Sequence, residues 1–257
     1  VPSLSDIKLT VTIPVGPKEC HKQWLSECIN SVLYQTDLPD EILLINDQAD
    51  IKMDDYITWE NSTQIARLGI NHKAIYLSEE QPIRGIPIAI SMFKTPWLSG
   101  VVTAFNYGIA LARNEYVLQL GSDDILHPMA IEKAKETIVK IGDPLGLYNF
   151  SCQIMGTTDV ISWFNHANVV TKGLWNKTGG LHPMTVTGGM DAALISVMMV
   201  HLPEHLHKID EGNPLYIVRE HDQRYTLESA SRYGDFMVQL RNDLTAEWKE
   251  PEWTSKL

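Results

Sequence analysis

The sequence predicts an α/β fold: a mostly parallel central sheet flanked by helices, followed by a mixed second half. Three observations carry this. Short apolar runs alternate with segments of helical periodicity through the first half of the chain. One run, Ile42 to Ile45, is continuously apolar between Glu41 and Asn46, the pattern of a strand buried on both faces. After Gly146 the alternation loosens into short strands and separated helices. The 257 residues are read as one domain in two halves, 1–146 and 147–257, the second ending in a helical tail.

"KLTVTIPVG" (Lys8 to Gly16) reads as the first strand, closed by Pro14 and Gly16. "WLSECINSVLYQT" puts Trp24, Leu25, Cys28, Ile29, Val32 and Leu33 on one helical face. "DEILLIND" returns as a second strand, completing a parallel crossover unit. "KAIYL" (Lys73 to Leu77) is a third strand, and the Pro- and Gly-rich stretch 81–100 reads as a loop or a pair of short elements. "TAFNYGIALARN" is helical with Phe105, Ile109 and Ala112 inward, and "EYVLQL" is a strand. A helix then runs from Pro128 to Gly142, where proline suits the start and glycine the end. "LGLYNFSCQIM" and "DVISWF" are mixed strands, "DAALISVMMVHL" is a helix, and "YTLESASRYGDFMVQLRNDL" is a helical tail.

A net charge of -11 argues against binding nucleic acid or anionic membrane through the overall field. Four of the seven arginines (Arg219, Arg224, Arg232 and Arg241) cluster late in the chain, with Tyr225 and Tyr233 between them. A solvated helix face explains them; a surface for a phosphate-bearing partner is the sharper alternative. Three cysteines with no CxxC or His/Cys cluster argue against a disulfide scaffold or zinc site, and Cys28 fits a buried helix face. The longest nearly apolar run, "AALISVMMV", is too short to span a bilayer, and no signal peptide is evident, so the sequons at Asn61 and Asn176 read as chance. The expectation is a soluble, cytoplasmic protein without membrane insertion.

The chemistry concentrates where strands end. "EILLIND" runs into Asp47, and "EYVLQLGSDD" runs into Asp123 and Asp124. In open parallel sheets, ligands bind outside the carboxyl ends of the strands, so these acids face one crevice. No P-loop, no GxGxxG after the first strand and no GxSxG is present, which argues against P-loop enzymes, dinucleotide oxidoreductases and serine hydrolases. Carboxylates without a Cys/His cage suit a hard cation, Mn²⁺ or Mg²⁺, shared with substrate phosphates. Helix capping ahead of Pro128 is the alternative; it explains one aspartate more easily than two. The histidines of "HLPEHLH" lack zincin spacing, and with Pro203 among them they read as a solvated turn. Trp97, Trp163 and Trp175 could stack on a sugar or a base, although packing is the commoner role.

These segments resemble the family 2 glycosyltransferases of the GT-A fold. "VTIPVG", "LSECINSVLYQT" and "DEILLINDQAD" resemble the family's first strand, first helix and nucleotide-holding segment. "GVVTAFNYGIALARNEYVLQLGSDDILHP" resembles its helix and DxD region. "WNKTGGLHPMTVTGGMDAAL" and "YIVREHDQRYTLES" resemble two later motifs, so the likeness spans roughly Leu9 to Ser229. The resemblance implies a nucleotide-sugar-binding half, 1–146, and an acceptor-binding, catalytic half, 147–257. It implies donor contacts at Pro14, Asp47, Asn106, Gly108, Ser122 and Arg219, metal contacts at Asp123, Asp124 and His221, and a catalytic base at Asp191. A helix N-cap is the alternative reading of Asp191, because "GGMD" precedes an apolar helix.

The chain departs from the pattern at Gly121, which replaces the first acid of the DxD, and at Asn46, Phe105 and Met190. The implied activity is inverting, metal-dependent transfer from a nucleotide-diphosphate sugar, a UDP-sugar first, to a hydroxyl of a saccharide, protein or modified DNA. Glycosylation of hydroxymethylated pyrimidines in DNA is the second version. A nucleotidyltransferase or a non-catalytic nucleotide-sugar-binding module are the competing classes.

Overall fold

The computed structural model describes residues 3–52, 64–67, 72–75, 88–162, 165–181, 190–210, 212–222, 239, 242–243 and 245–249. Strand β1 (Leu9–Val15) is buried along its whole length and lies at the centre of a nine-stranded sheet. Its register with β2 (Glu41–Asn46) is parallel, with Pro14 opposite Ile45. On its other side β6 (Tyr116–Gln119) pairs only with Leu9 to Thr12, so Pro14 lies past that ladder and its missing N–H breaks no bond there. β5 (Ile88–Lys94) runs parallel to β2, and β4 (His72–Ile75) and β3 (Gln64–Arg67) continue that edge antiparallel. Beyond β6 follow β11 (Asn168–Thr171), β8 (Leu147–Phe150) and β12 (Leu206–Ile209).

Alternation along β1 sorts the two faces. Leu9, Val11, Ile13 and Val15 share one core with Leu25, Cys28, Ile29 and Val32 of α2 (Leu25–Leu33), which follows the short α1 (Cys20–Gln23), and with Ala130, Ile131, Ala134 and Ile138 of α4 (Ala130–Ile141). Full burial of each large aliphatic side chain stabilises the fold by about 1.5–3 kcal/mol. The opposite face carries α3 (Val101–Leu111), α5 (Lys172–Thr178) and α6 (Met190–His201), joined through Phe105, Ile109, Leu174, Leu194 and Met198. Close approach of α3 depends on Gly108, because a Cβ there would lie 2.0 Å from Thr12 Oγ1. α4 ends at Gly142, in the left-handed conformation that glycine adopts without steric cost.

A second, four-stranded sheet has the order β10 (Val160–Ile161), β9 (Cys152–Ile154), β13 (Tyr216–Val218), β7 (Ile125–Leu126). The predicted mostly parallel sheet and mixed second half are therefore both present. Two local readings change. The stretch 81–100, read as a loop or a pair of short elements because of prolines such as Pro87 and Pro96, contains β5, a strand of the central sheet. "HLPEHLH" is a short 3-10 turn feeding strand β12, and not a solvated turn throughout. There His205 Nδ1 and His207 Nε2 lie 2.9 and 2.7 Å from Asp143 Oδ2, which binds the strand to the end of α4. Among the described residues no helix is long and apolar enough to cross a membrane.

Candidate functional site

The sheet changes direction of winding at β1: the chain moves from β1 to β2 on one side and later places β6 on the other. The crevice outside the carboxyl ends of these parallel strands is where such sheets bind ligands. Asp123 and Asp124 lie in the turn between β6 and β7, which the Asp124 N–H closes on the Gly121 carbonyl at 3.1 Å. Strand β13 runs antiparallel to β7, pairing Tyr216 with Leu126 and Ile217 with Ile125. Continuing that register sets Asp124 and Asp123 beside Val218 and Arg219, bringing two distant motifs together.

Asp124 is buried, and both its oxygens are engaged. Oδ2 accepts from the Tyr216 hydroxyl at 2.9 Å and Oδ1 from the Arg219 N–H at 2.9 Å. His166 Nε2 lies 3.6 Å from the same Oδ2. Burial first, and then the Asp124 carboxylate, push the Tyr216 hydroxyl well above its ordinary range, so it remains a donor. The Tyr216 oxygen in turn accepts the Gly121 N–H at 3.0 Å. Asp124 thus ties the β6–β7 turn to β13.

Asp123 reaches the surface, with 26% of its side chain exposed, and its Oδ2 lies 3.0 Å from His221 Nε2. Burial, and then the neighbouring Asp124 charge, raise the Asp123 carboxyl; the His221 hydrogen bond opposes them. The His221 ring is tilted against Trp24 at 4.8 Å between centroids. Arg219 braces the assembly: its Nε donates to the Asp123 carbonyl at 3.0 Å, its Nη2 pairs with Glu27, and its guanidinium lies 4.9 Å from the centre of the Trp24 ring.

Gly121 stands two residues before Asp123, where the sequence resemblance expects the first acid of a DxD. A Cβ there would come within 2.8 Å of Asp124 Oδ2 and 2.9 Å of Asp123 Oδ1, so the two carboxylates fill the space a third would need. Among the described residues no group of three or more His, Cys, Asp or Glu side chains is arranged to hold a metal by itself. The donors that are present nevertheless fit a divalent cation shared with a substrate. Asp123 offers a carboxylate at the surface and His221 Nε2 faces it at 3.0 Å, so a cation held by the pair would replace that hydrogen bond, while the buried, unpartnered Nδ1 points away from Asp123. Mg²⁺ and Mn²⁺ often take one or two protein ligands and complete their shell with phosphate oxygens.

The other sequence-predicted residues fall elsewhere around the crevice. Asp47, at the end of β2, accepts from Thr95 Oγ1 (2.8 Å), Ser99 N (2.8 Å), Ser99 Oγ (2.7 Å) and Gly100 N (2.7 Å). It braces the loop that enters α3. The Asn106 amide joins α3 to Trp175 Nε1 at 2.8 Å and to the Leu181 N–H and carbonyl at 2.9 and 2.8 Å. Gly108 lies against Thr12, Pro14 is buried in β1, and Ser122 is buried in the β6–β7 turn. Asp191 is the second residue of α6, and its side chain lies outside the described residues. So do Arg224, Arg232, Arg241, Tyr225, Tyr233 and Trp163. Tyr216 and His166 join the site without having been singled out by any local sequence signal, and Trp24, read as part of the inward helix face, lies just before that helix and packs on His221 and Arg219.

No protein-family model and no curated protein matches the chain. Solved structures do. The chain superposes on S. aureus TarS 1-349 in complex with UDP with a TM-score of 0.63 at 12% identity, covering 96% of this chain and 68% of that one. Against TarS 1-349 in complex with UDP-GlcNAc the TM-score is 0.65 at 12% identity, covering 96% and 69%. Against a longer S. aureus TarS chain it is 0.62 at 13% identity, covering 96% of this chain and 41% of that one. The fold is therefore the GT-A fold, in agreement with the resemblance read from the sequence.

Proposed function

We propose that the chain is an inverting, metal-dependent glycosyltransferase using a nucleotide-diphosphate sugar, UDP-sugar first, and a hydroxyl acceptor. The Asp123–His221 pair carries this reading. It stands at the carboxyl edge of the sheet, beside the point where the winding reverses, in a fold shared with a protein solved with UDP and with UDP-GlcNAc.

In this reading residues 1–146 hold the donor and residues 147–257 the acceptor. Asp123 and His221 are the residues that would hold the cation, with Asp124 fixing the turn that presents Asp123. A bound divalent cation neutralises the charge of the departing diphosphate. Asp191, at the start of α6, takes the proton of the acceptor hydroxyl. The acceptor oxygen forms its bond to the anomeric carbon as the bond from that carbon to the β-phosphate oxygen breaks, and the nucleoside diphosphate leaves from the opposite face. A placed general base contributes about 10²–10⁴-fold.

A net charge of -11 and the engagement of Arg219 with Glu27 and Trp24 favour a saccharide or protein acceptor over DNA. Calorimetric titration of the chain with UDP and UDP-GlcNAc, with and without Mn²⁺, tests the proposal. Mn²⁺-dependent binding supports it, and absence of binding to any nucleoside diphosphate contradicts it.

A further inference from the structure

The loop between β5 and α3 carries two large apolar side chains into solvent: Trp97 is 62% exposed and Leu98 61%. On a mobile loop such exposure would say little. This loop is braced from below. The Asp47 carboxylate accepts from Thr95, twice from Ser99 and from Gly100. The Thr95 N–H donates to the Asn46 carbonyl at 2.9 Å, and the Gln48 side-chain amide donates to the Thr95 carbonyl. An ionised carboxylate offers about four acceptor sites. Three of these bonds converge on Oδ1 and one reaches Oδ2, so Asp47 shapes the loop through Oδ1 and keeps acceptor capacity on Oδ2.

The position of the loop suggests what it serves. β6, β1, β2 and β5 are adjacent and parallel, so the Asp123 turn and the Trp97 loop leave the same edge of the sheet. β5 lies three strand spacings from β6, each about 4.8 Å. That span suits a nucleoside diphosphate lying along the edge, with its phosphates at Asp123 and His221 and its base toward β2 and β5. We infer that Trp97 is a stacking platform for the nucleobase of the donor, an assignment that rests on the nucleotide-sugar reading above. The braced loop has already lost its conformational freedom on folding, so little more is lost on binding. Stacking on an indole accepts any base, so Trp97 supplies affinity and leaves base identity to other groups.

Titration of full-length Trp97→Ala and Trp97→Phe variants with UDP, UDP-GlcNAc and inorganic pyrophosphate, each with Mn²⁺, tests this. The expected result for Trp97→Ala is a loss of about tenfold or more for both UDP and UDP-GlcNAc, the effect of removing one base–aromatic stack. Pyrophosphate binding and melting temperature should not change, and Trp97→Phe should retain most of the affinity. Equal UDP binding by wild type and Trp97→Ala overturns the inference while leaving the proposed function intact. A loss confined to UDP-GlcNAc places the sugar at Trp97 and overturns the base assignment. A wild-type chain that binds no nucleoside diphosphate overturns the proposed function, and this inference with it.

Discussion

His221 Nε2 lies 3.0 Å from Asp123 Oδ2, joining two residues 98 positions apart in the chain. The contact depends on the short β7–β13 ladder, and the β6–β7 turn presents Asp123 only because Tyr216 and the Arg219 N–H hold Asp124.

Gly121 lies under both carboxylates. Asp123 can swing outward, but Asp124 is pinned, so Gly121→Ala forces a shift in the turn. The expected cost is about 1–3 kcal/mol of stability, as for overpacking of a filled site. Thermal unfolding together with Mn²⁺ titration checks it: both the melting temperature and the Mn²⁺ affinity should fall. An unchanged melting temperature would show that the turn relaxes freely.

Tyr216→Phe removes a buried donor to Asp124 and the acceptor of the Gly121 N–H while keeping the ring. The expected loss is about 1–3 kcal/mol, the penalty for leaving buried polar groups unsatisfied. In chemical denaturation the midpoint should drop. Mn²⁺-dependent nucleotide binding should weaken as well, because the Asp123 turn loses its tie to β13.

Asp143 should make stability acid-sensitive. Burial by itself would raise its carboxyl, but hydrogen bonds from His207, His205 and the Leu145 N–H outweigh it, leaving the group below its ordinary value of 3.8. A group depressed in the folded state contributes stability that is fully present above the unfolded value and is lost as pH falls through the folded one. Asp143→Asn is therefore expected to cost about 1.5–3 kcal/mol at neutral pH, the range for hydrogen bonds to a charged group. In a series of melts the gap between wild type and variant should narrow as pH falls below the ordinary carboxyl value of 3.8. A gap that persists there contradicts the linkage.

The three cysteines should be inert in the folded chain. All are buried, and burial pushes the Cys152 thiol up to about 12 and the Cys28 thiol well above its ordinary range. Cys28 also donates to the Gly121 carbonyl at 3.3 Å. A colorimetric thiol reagent at pH 8 should find no fast-reacting group in the native protein and three in denaturant. Any fast native thiol would contradict this, and if it were Cys28 it would show that α2 opens away from the β6–β7 turn.

The fold was legible in the sequence where periodicity and burial agree. The run Ile42–Ile45, the inward face Cys28, Ile29 and Val32, and the strand leading to Asp123 all follow from apolar spacing. Strand β5 was not, because Pro87 and Pro96 bracket it and proline signals a turn more strongly than a short apolar run signals a strand. At the site, adjacent carboxylates after a buried strand marked Asp123 and Asp124. Their partners Tyr216, Arg219 and His166 come from segments about 40 to 100 residues away, brought in by ladders two or three residues long. Nothing in the local pattern encodes such a pairing. The resemblance reached Arg219 and His221 through motif order, but Tyr216 and His166 became visible only in three dimensions. Asp47 shows the converse: its location at a strand end was legible, and its engagement with Thr95, Ser99 and Gly100 was not.

The proposed function depends on Asp123 and His221 holding a divalent cation against a nucleoside diphosphate. Calorimetric titration of UDP with and without Mn²⁺, on wild type, Asp123→Asn and His221→Ala, tests it most directly. Wild type is expected to bind UDP more tightly with Mn²⁺, and both variants to lose the Mn²⁺-dependent gain while retaining the weaker metal-free binding. Undiminished Mn²⁺-dependent UDP binding by Asp123→Asn would contradict it.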